Sequence, residues 1–213
     1  MNLHYVIFLV LGTYYFYWMT SFCFVLYNIK LESNRFRVLY LSIISTIFIG
    51  YLQYVINDPK GVITIVILFN LLFYWFIMRI RSYHALLISI SFILPSLLEN
   101  FIYFGLMNVP MSVAMHQLID RLGTVLILAI IMQIATKLFY KHRIWFSFIN
   151  KQKEDSKPID RKLAQVTFGS LIILLFISIF ISLNWINLLI VSIISFTLLG
   201  ILLRVSYEKE ISS

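Results

Sequence analysis

Residues 164–183 read AQVTFGSLIILLFISIFISL, twenty consecutive positions without one ionisable side chain. A helix of about 20 residues, each rising ~1.5 Å, crosses a ~30 Å hydrocarbon layer with all its backbone groups satisfied internally. Working outward from this run, comparable apolar segments fall at about 4–28, 38–56, 62–79, 84–107, 120–140 and 186–204. The expectation is an all-α, polytopic integral membrane protein: a single domain over residues 1–213, folded as a bundle of about seven transmembrane helices. The stretch Asn184-Trp185-Ile186-Asn187 between the last two runs reads either as a tight outer turn or as the tip of a re-entrant hairpin.

The composition fits no water-soluble class. Hydrophobic residues make up 61% of the chain and charged ones 12%, and no gap between apolar runs is long enough for a soluble catalytic domain. The net charge of +8 is concentrated in the gaps. No Lys or Arg precedes Lys30, whereas the first gap carries Lys30, Arg35 and Arg37. Asn57-Asp58-Pro59-Lys60-Gly61 has a single Lys, Arg79 and Arg81 follow, and Met107–Asp120 has neither Lys nor Arg. From Lys137 to Lys162, eight basic side chains stand against three acidic ones, a surplus of five, centred on a basic loop at 141–162. Basic residues near helix ends stay on the cytoplasmic side, so the alternation predicts a cell-membrane protein with its amino terminus outside, its carboxyl terminus in the cytoplasm and an odd number of crossings.

The first helix lacks a basic n-region and a small-residue cleavage site, so it is expected to be retained rather than removed as a signal peptide. The basic charge is topological, with attraction to anionic lipid as an addition, and no nucleic-acid partner is expected. Tyr51, Tyr54, Tyr103 and Trp185 fall at the expected outer boundary, and Tyr27, Tyr40, Tyr74, Trp75 and Tyr83 at the inner one. The segment Lys141-His142-Arg143-Ile144-Trp145-Phe146-Ser147-Phe148-Ile149 mixes basic and aromatic residues and reads as an amphipathic element in the inner interface.

Catalytic signatures are missing from the pattern. Cys23 is the single cysteine and lies in an apolar helix, where it reads as a small buried hydrophobe. His4, His84, His116 and His142 are scattered and form no zinc spacing, and there is no aspartate-rich pair or Gly-rich phosphate loop. No metal, cofactor or enzymatic activity is therefore expected.

Polar groups at lipid depth are the remaining site signals. Glu99 lies about eight residues, roughly 12 Å, from the outer end of the fourth helix, where a carboxylate must be protonated, paired or hydrated. Pro95, four residues earlier, kinks that helix near Ser91. With Asn100, these residues suggest either a ligand pocket or gating element, or a structural hydrogen-bonded pair, with Arg121 the partner within reach of Glu99. Gln133 and Asn70 read as interhelical hydrogen-bond glue. Tyr14, Tyr17, Trp18 and Ser21 share one face of the first helix and are expected to look into the bundle, as packing or as the wall of a pocket for an apolar ligand.

The uncharged outside start, the short basic first loop, the Asn57-Asp58-Pro59-Lys60-Gly61 hairpin, the boundary Arg79-Ile80-Arg81-Ser82-Tyr83-His84-Ala85-Leu86-Leu87 and the polar fourth helix together resemble the amino-terminal membrane half of Agr-type, peptide-sensing bacterial histidine kinases. The resemblance covers most of residues 1–204 at the level of hydropathy and loop style. It implies a sensor module whose last helix would lead into a phosphoacceptor helix and an ATP-binding domain. The sequence ends at Tyr207-Glu208-Lys209-Glu210-Ile211-Ser212-Ser213, so the expectation is a sensor without those output parts.

These observations converge on a non-catalytic bacterial membrane protein with a sensory or accessory role in signal transduction. It would be embedded in the lipid bilayer, act through a protein partner in the membrane or cytoplasm, and receive a small peptide or apolar ligand. A transport protein or transporter subunit, with Glu99 and Gln133 along a polar path, is the second reading. A lipid-handling membrane enzyme is the third.

Overall fold

A computed structural model describes residues 3–51, 62–80, 83–92, 122–146, 161–182 and 188–212. Among these residues the regular structure is entirely helical. The elements are α1 (Leu3–Leu26), α2 (Arg35–Tyr51, preceded by a 3₁₀ turn at Glu32–Asn34), α3 (Val62–Leu72, continued by a π-helical turn at Phe73–Ile77), α4 (Tyr83–Phe92), α5 (Leu122–His142), α6 (Arg161–Ser182) and α7 (Leu188–Ser212). Among the described residues, two helices, Val6–Leu26 and Gly123–His142, are long and apolar enough to cross a membrane by length and composition, and shorter apolar stretches lie at Leu68–Ile77 and Tyr83–Phe92.

The carboxyl-terminal half of α1 and the whole of α4 form the centre, where Met19, Cys23, Leu87, Ile88 and Ile90 are completely buried. Phe16 stacks on Phe92 of α4, Phe22 meets Phe139 of α5 edge-on, and Phe24 packs on Tyr74 of the π turn. Tyr14 meets Gln133, Phe22 meets Phe139 and Leu26 meets Phe146, so α1 and α5 run parallel. Parallel neighbours cannot be joined by a short loop. The intervening helices must carry the chain back.

Helix α2 lies close against α1 at Gly12, where an added Cβ would come within 2.7 Å of Thr46 Cγ2. Only a glycine admits that approach without displacing the threonine methyl. Phe48 stacks on Phe69, bringing α2 to α3. Helices α6 and α7 form an antiparallel pair, closed where Lys162 at the start of α6 bonds Glu208 near the end of α7. Glu208 also accepts from Arg204 one turn earlier at 3.2 Å, and these interactions carry α7 to Ser212, beyond the expected end near residue 204.

Outward faces are apolar along the helix lengths. On α2, Phe36, Tyr40, Ile43, Ile47 and Tyr51 are exposed at helical spacing, and on α5 so are Ile127, Ile130, Ile134 and Leu138. Phe168, Ile172 and Phe176 repeat the stripe on α6. The inner aromatic boundary expected from sequence divides in two. Tyr40 and Trp75 are exposed, but Tyr27, Tyr74 and Tyr83 are buried, because each hydroxyl-bearing ring packs inward against another helix instead of facing headgroups.

Candidate functional site

Three helices end in the same way, with a non-glycine residue in the left-handed region: Asn28 (φ 52°) after α1, Arg79 (φ 54°) after the π turn and Arg143 (φ 54°) after α5. At α1, Ile29 N–H donates to Phe24 O at 2.7 Å and Asn28 N–H to Val25 O at 3.0 Å, a Schellman closure that suits Asn. Helix α5 repeats it, with Ile144 N–H donating to Phe139 O at 3.0 Å. The chain then turns back so that Phe146 N–H donates to Leu26 O at 2.7 Å, satisfying a free carbonyl at the end of α1. Phe146 is buried against the Tyr27 ring, which itself hydrogen-bonds Ser91 of α4 at 2.6 Å. The segment expected to lie as an interfacial anchor is thus docked at Phe146, while Ile144 stays exposed.

Between these two closed ends lies a cavity of about 630 Å³. Its apolar wall includes Trp18 and Val25 of α1, Ile29 and Leu31 of the following loop, and Tyr140 and Trp145 from the α5 side. Lys30, Arg35 and Lys137 line it together with a single carboxylate, Glu32. All four of these charged residues are exposed, and among the described residues no ion pair engages any of the three cations. The loop that holds Lys30 is fixed by its own carbonyl, which accepts from Asn34 Nδ2 at 2.8 Å and from Ser33 Oγ at 3.3 Å. A cavity of this size with apolar walls and a few charged groups at its edge can hold one small amphipathic ligand.

No protein-family model, curated protein or solved structure matches the chain.

Of the residues singled out from sequence, Trp18 lines the cavity. Tyr17 meets Trp18 edge-on and Tyr14 does so from the preceding turn, and both are partly buried. Tyr14 also donates to Gln133 Oε1 at 2.9 Å across the α1–α5 contact. Asn70 differs from its expected role as interhelical glue: its amide donates to Val66 O of its own helix at 2.9 Å. The preceding turn offers the nearer acceptor. Cys23 is fully buried with a free thiol. Pro95, Glu99, Asn100 and Arg121, and the 184–187 turn, lie outside the described residues.

Lys30, Arg35, Lys137, Tyr140 and Trp145 line the cavity without having been singled out for it by the sequence pattern. In sequence the cations stand as topological markers and Trp145 as an interfacial anchor. The usable signal is the distribution of basic residues, from which the first loop and the end of α5 are expected on the same side.

Proposed function

We propose that this chain is a non-catalytic, seven-crossing protein of the cell membrane, with its amino terminus outside, that acts as a ligand-binding sensory or accessory module. The apolar stripes on the outward faces of α2, α5 and α6 support burial in lipid, since a water-dissolved chain rarely leaves such continuous apolar surface uncovered. The parallel course of α1 and α5 and the antiparallel α6–α7 pair agree with alternating crossings in which odd helices run inward. In that frame the ends of α1 and α5 face the cytoplasm, and so does the cavity.

The observation that carries the reading is the cavity itself: a lining of apolar and aromatic side chains together with three cations that no ion pair engages among the described residues, built on a loop held by its own hydrogen bonds. Such an arrangement binds a ligand, and a bound ligand biases how the α1 and α5 ends sit against each other. A protein partner would sense that change from the cytoplasm or the membrane.

Trp145 supplies the test. With Trp18, Trp75 and Trp185 replaced by Phe, its emission in bilayers, followed while membrane lipid extract is titrated in, should change and saturate. Ile29→Phe, which narrows the cavity at its apolar lining, should weaken the saturable component. A change that grows linearly with lipid and persists in Ile29→Phe would show that the cavity holds no ligand.

A further inference from the structure

The cavity has a polarity as well as a volume. Lys30, Arg35 and Lys137 outnumber Glu32 in its lining, leaving a surplus of two positive charges; these four are exposed, whereas Trp18, Ile29 and Trp145 of the same lining are half-buried. An unpaired guanidinium and two ammonium groups offer forked and point-like donors suited to phosphate oxygens. The exposed stripe of Leu138, Ile134 and Ile130 runs along α5 beside Lys137. A volume of about 630 Å³ takes a headgroup and the first carbons behind it, but not a whole two-chain lipid. A ligand that fits all three features carries phosphate at one end and leaves its acyl chains outside, along α5.

We infer that the cavity receives the phosphate headgroup of an anionic phospholipid from the cytoplasmic leaflet. This rests on the seven-crossing, cavity-binding reading above and names its ligand class. Arg35 forks onto the phosphate, Lys30 and Lys137 close on it from the two helix ends, and the indoles of Trp18 and Trp145 pack against the glycerol region. A zwitterionic headgroup brings its own ammonium against three cations and is disfavoured. Free phosphate has the same anionic chemistry but gains nothing from the apolar wall or the α5 stripe.

The test uses the full chain in neutral detergent, with lipid retention read by native mass spectrometry. Phosphatidate, phosphatidylglycerol and phosphatidylcholine with identical acyl chains are compared, and glycerol 3-phosphate serves as a soluble competitor. Both anionic lipids should be retained about tenfold better than phosphatidylcholine, as expected for a few partly solvated charge contacts. Lys30→Gln/Arg35→Gln/Lys137→Gln should abolish the preference. Lys141→Gln/Arg143→Gln/Arg161→Gln, which removes equal charge from positions outside the lining, should keep it. Should the first triple variant fail to fold, Arg35→Lys serves instead, retaining the charge but losing the fork, and should weaken anionic retention severalfold.

Equal retention of all three lipids, or equal loss of preference in both triple variants, overturns the inference in favour of unspecific charge. Displacement by glycerol 3-phosphate at the concentration of the lipid itself assigns the site to soluble phosphates and overturns the lipid source. A saturating Trp145 response without lipid selectivity leaves the cavity a ligand site while rejecting this ligand.

Discussion

The hydrogen bond from Tyr14 to Gln133 joins two parallel helices that no short loop could hold together, so its removal should be measurable in the stability of the bundle. The O···O distance is 2.9 Å and the pair is partly buried. Polar contacts between helices in membranes average ~0.6 kcal/mol and reach ~1.7 kcal/mol in double-mutant cycles. Tyr14→Phe keeps the ring and its edge contact with Trp18 while removing the donor. Gln133→Met keeps volume while removing the acceptor. Each single change strands a polar group and should cost about 1–2 kcal/mol, whereas the double variant should recover about 0.6–1.7 kcal/mol of the summed loss. The assay is reversible unfolding in mixed detergent and SDS micelles, followed by far-UV circular dichroism, which avoids any change in Trp18 emission. Losses additive to within ~0.3 kcal/mol would refute the contact.

Gly12→Ala should destabilise the α1–α2 contact by about 1–3 kcal/mol, because Thr46 is held by its Oγ1 bond to Ser42 O at 2.8 Å and cannot swing its methyl away freely. Thr46→Ser, which removes that methyl, should rescue Gly12→Ala in the same unfolding assay, and failure to rescue would reject the close approach. Phe146→Ala should loosen the docking of the segment after α5 on the end of α1 by about 2–4 kcal/mol, given the buried ring and its packing on Tyr27, with faster proteolysis after residue 143 as the readout. Hydrogen bonding and charge from Lys162, followed by Arg204, hold the Glu208 carboxyl below the usual carboxylate range. The folded state therefore binds that proton less readily than the unfolded one, so the contribution is present above the ordinary carboxylate pKa and is lost as pH falls through the lowered folded value. Acid should separate the α6–α7 ends, measured as spin-label distance between Gln165→Cys and Tyr207→Cys in a Cys23→Ala background that keeps Lys162, and Glu208→Gln should make that distance independent of pH.

The all-helical class was legible from sequence because apolar runs of this length are too long for strands. Residues 164–182 of the run at 164–183 lie within α6, and the run at 120–140 overlaps α5 over nearly its whole length. Ends were less legible. The π turn at Phe73–Ile77 and the left-handed Arg79 and Arg143 depend on backbone closure that no local residue preference announces, since Arg is not a habitual left-handed residue. Gln133 was legible as glue and its partner Tyr14 as an inward-facing residue, but their pairing required knowing that α1 and α5 are neighbours 119 positions apart. The cavity was hidden for the same reason. Its cations come from the α1–α2 connection and the start of α2 on one side and from α5, about a hundred positions later, on the other, and a Lys at the end of an apolar run looks the same in sequence whether or not it lines a cavity.

Sidedness of the first loop tests the central claim most directly, because the cavity can draw lipid from the cytoplasmic leaflet only if Ser33 and its neighbours lie on that side. Single cysteines at Ser33 and Asp58, each in a Cys23→Ala background, should be exposed to an impermeant thiol reagent on intact cells and again after permeabilisation. Asp58→Cys should react in intact cells, and Ser33→Cys should react only once the membrane is opened. Labelling of Ser33→Cys in intact cells would put the cavity outside and contradict both the topology and the ligand source.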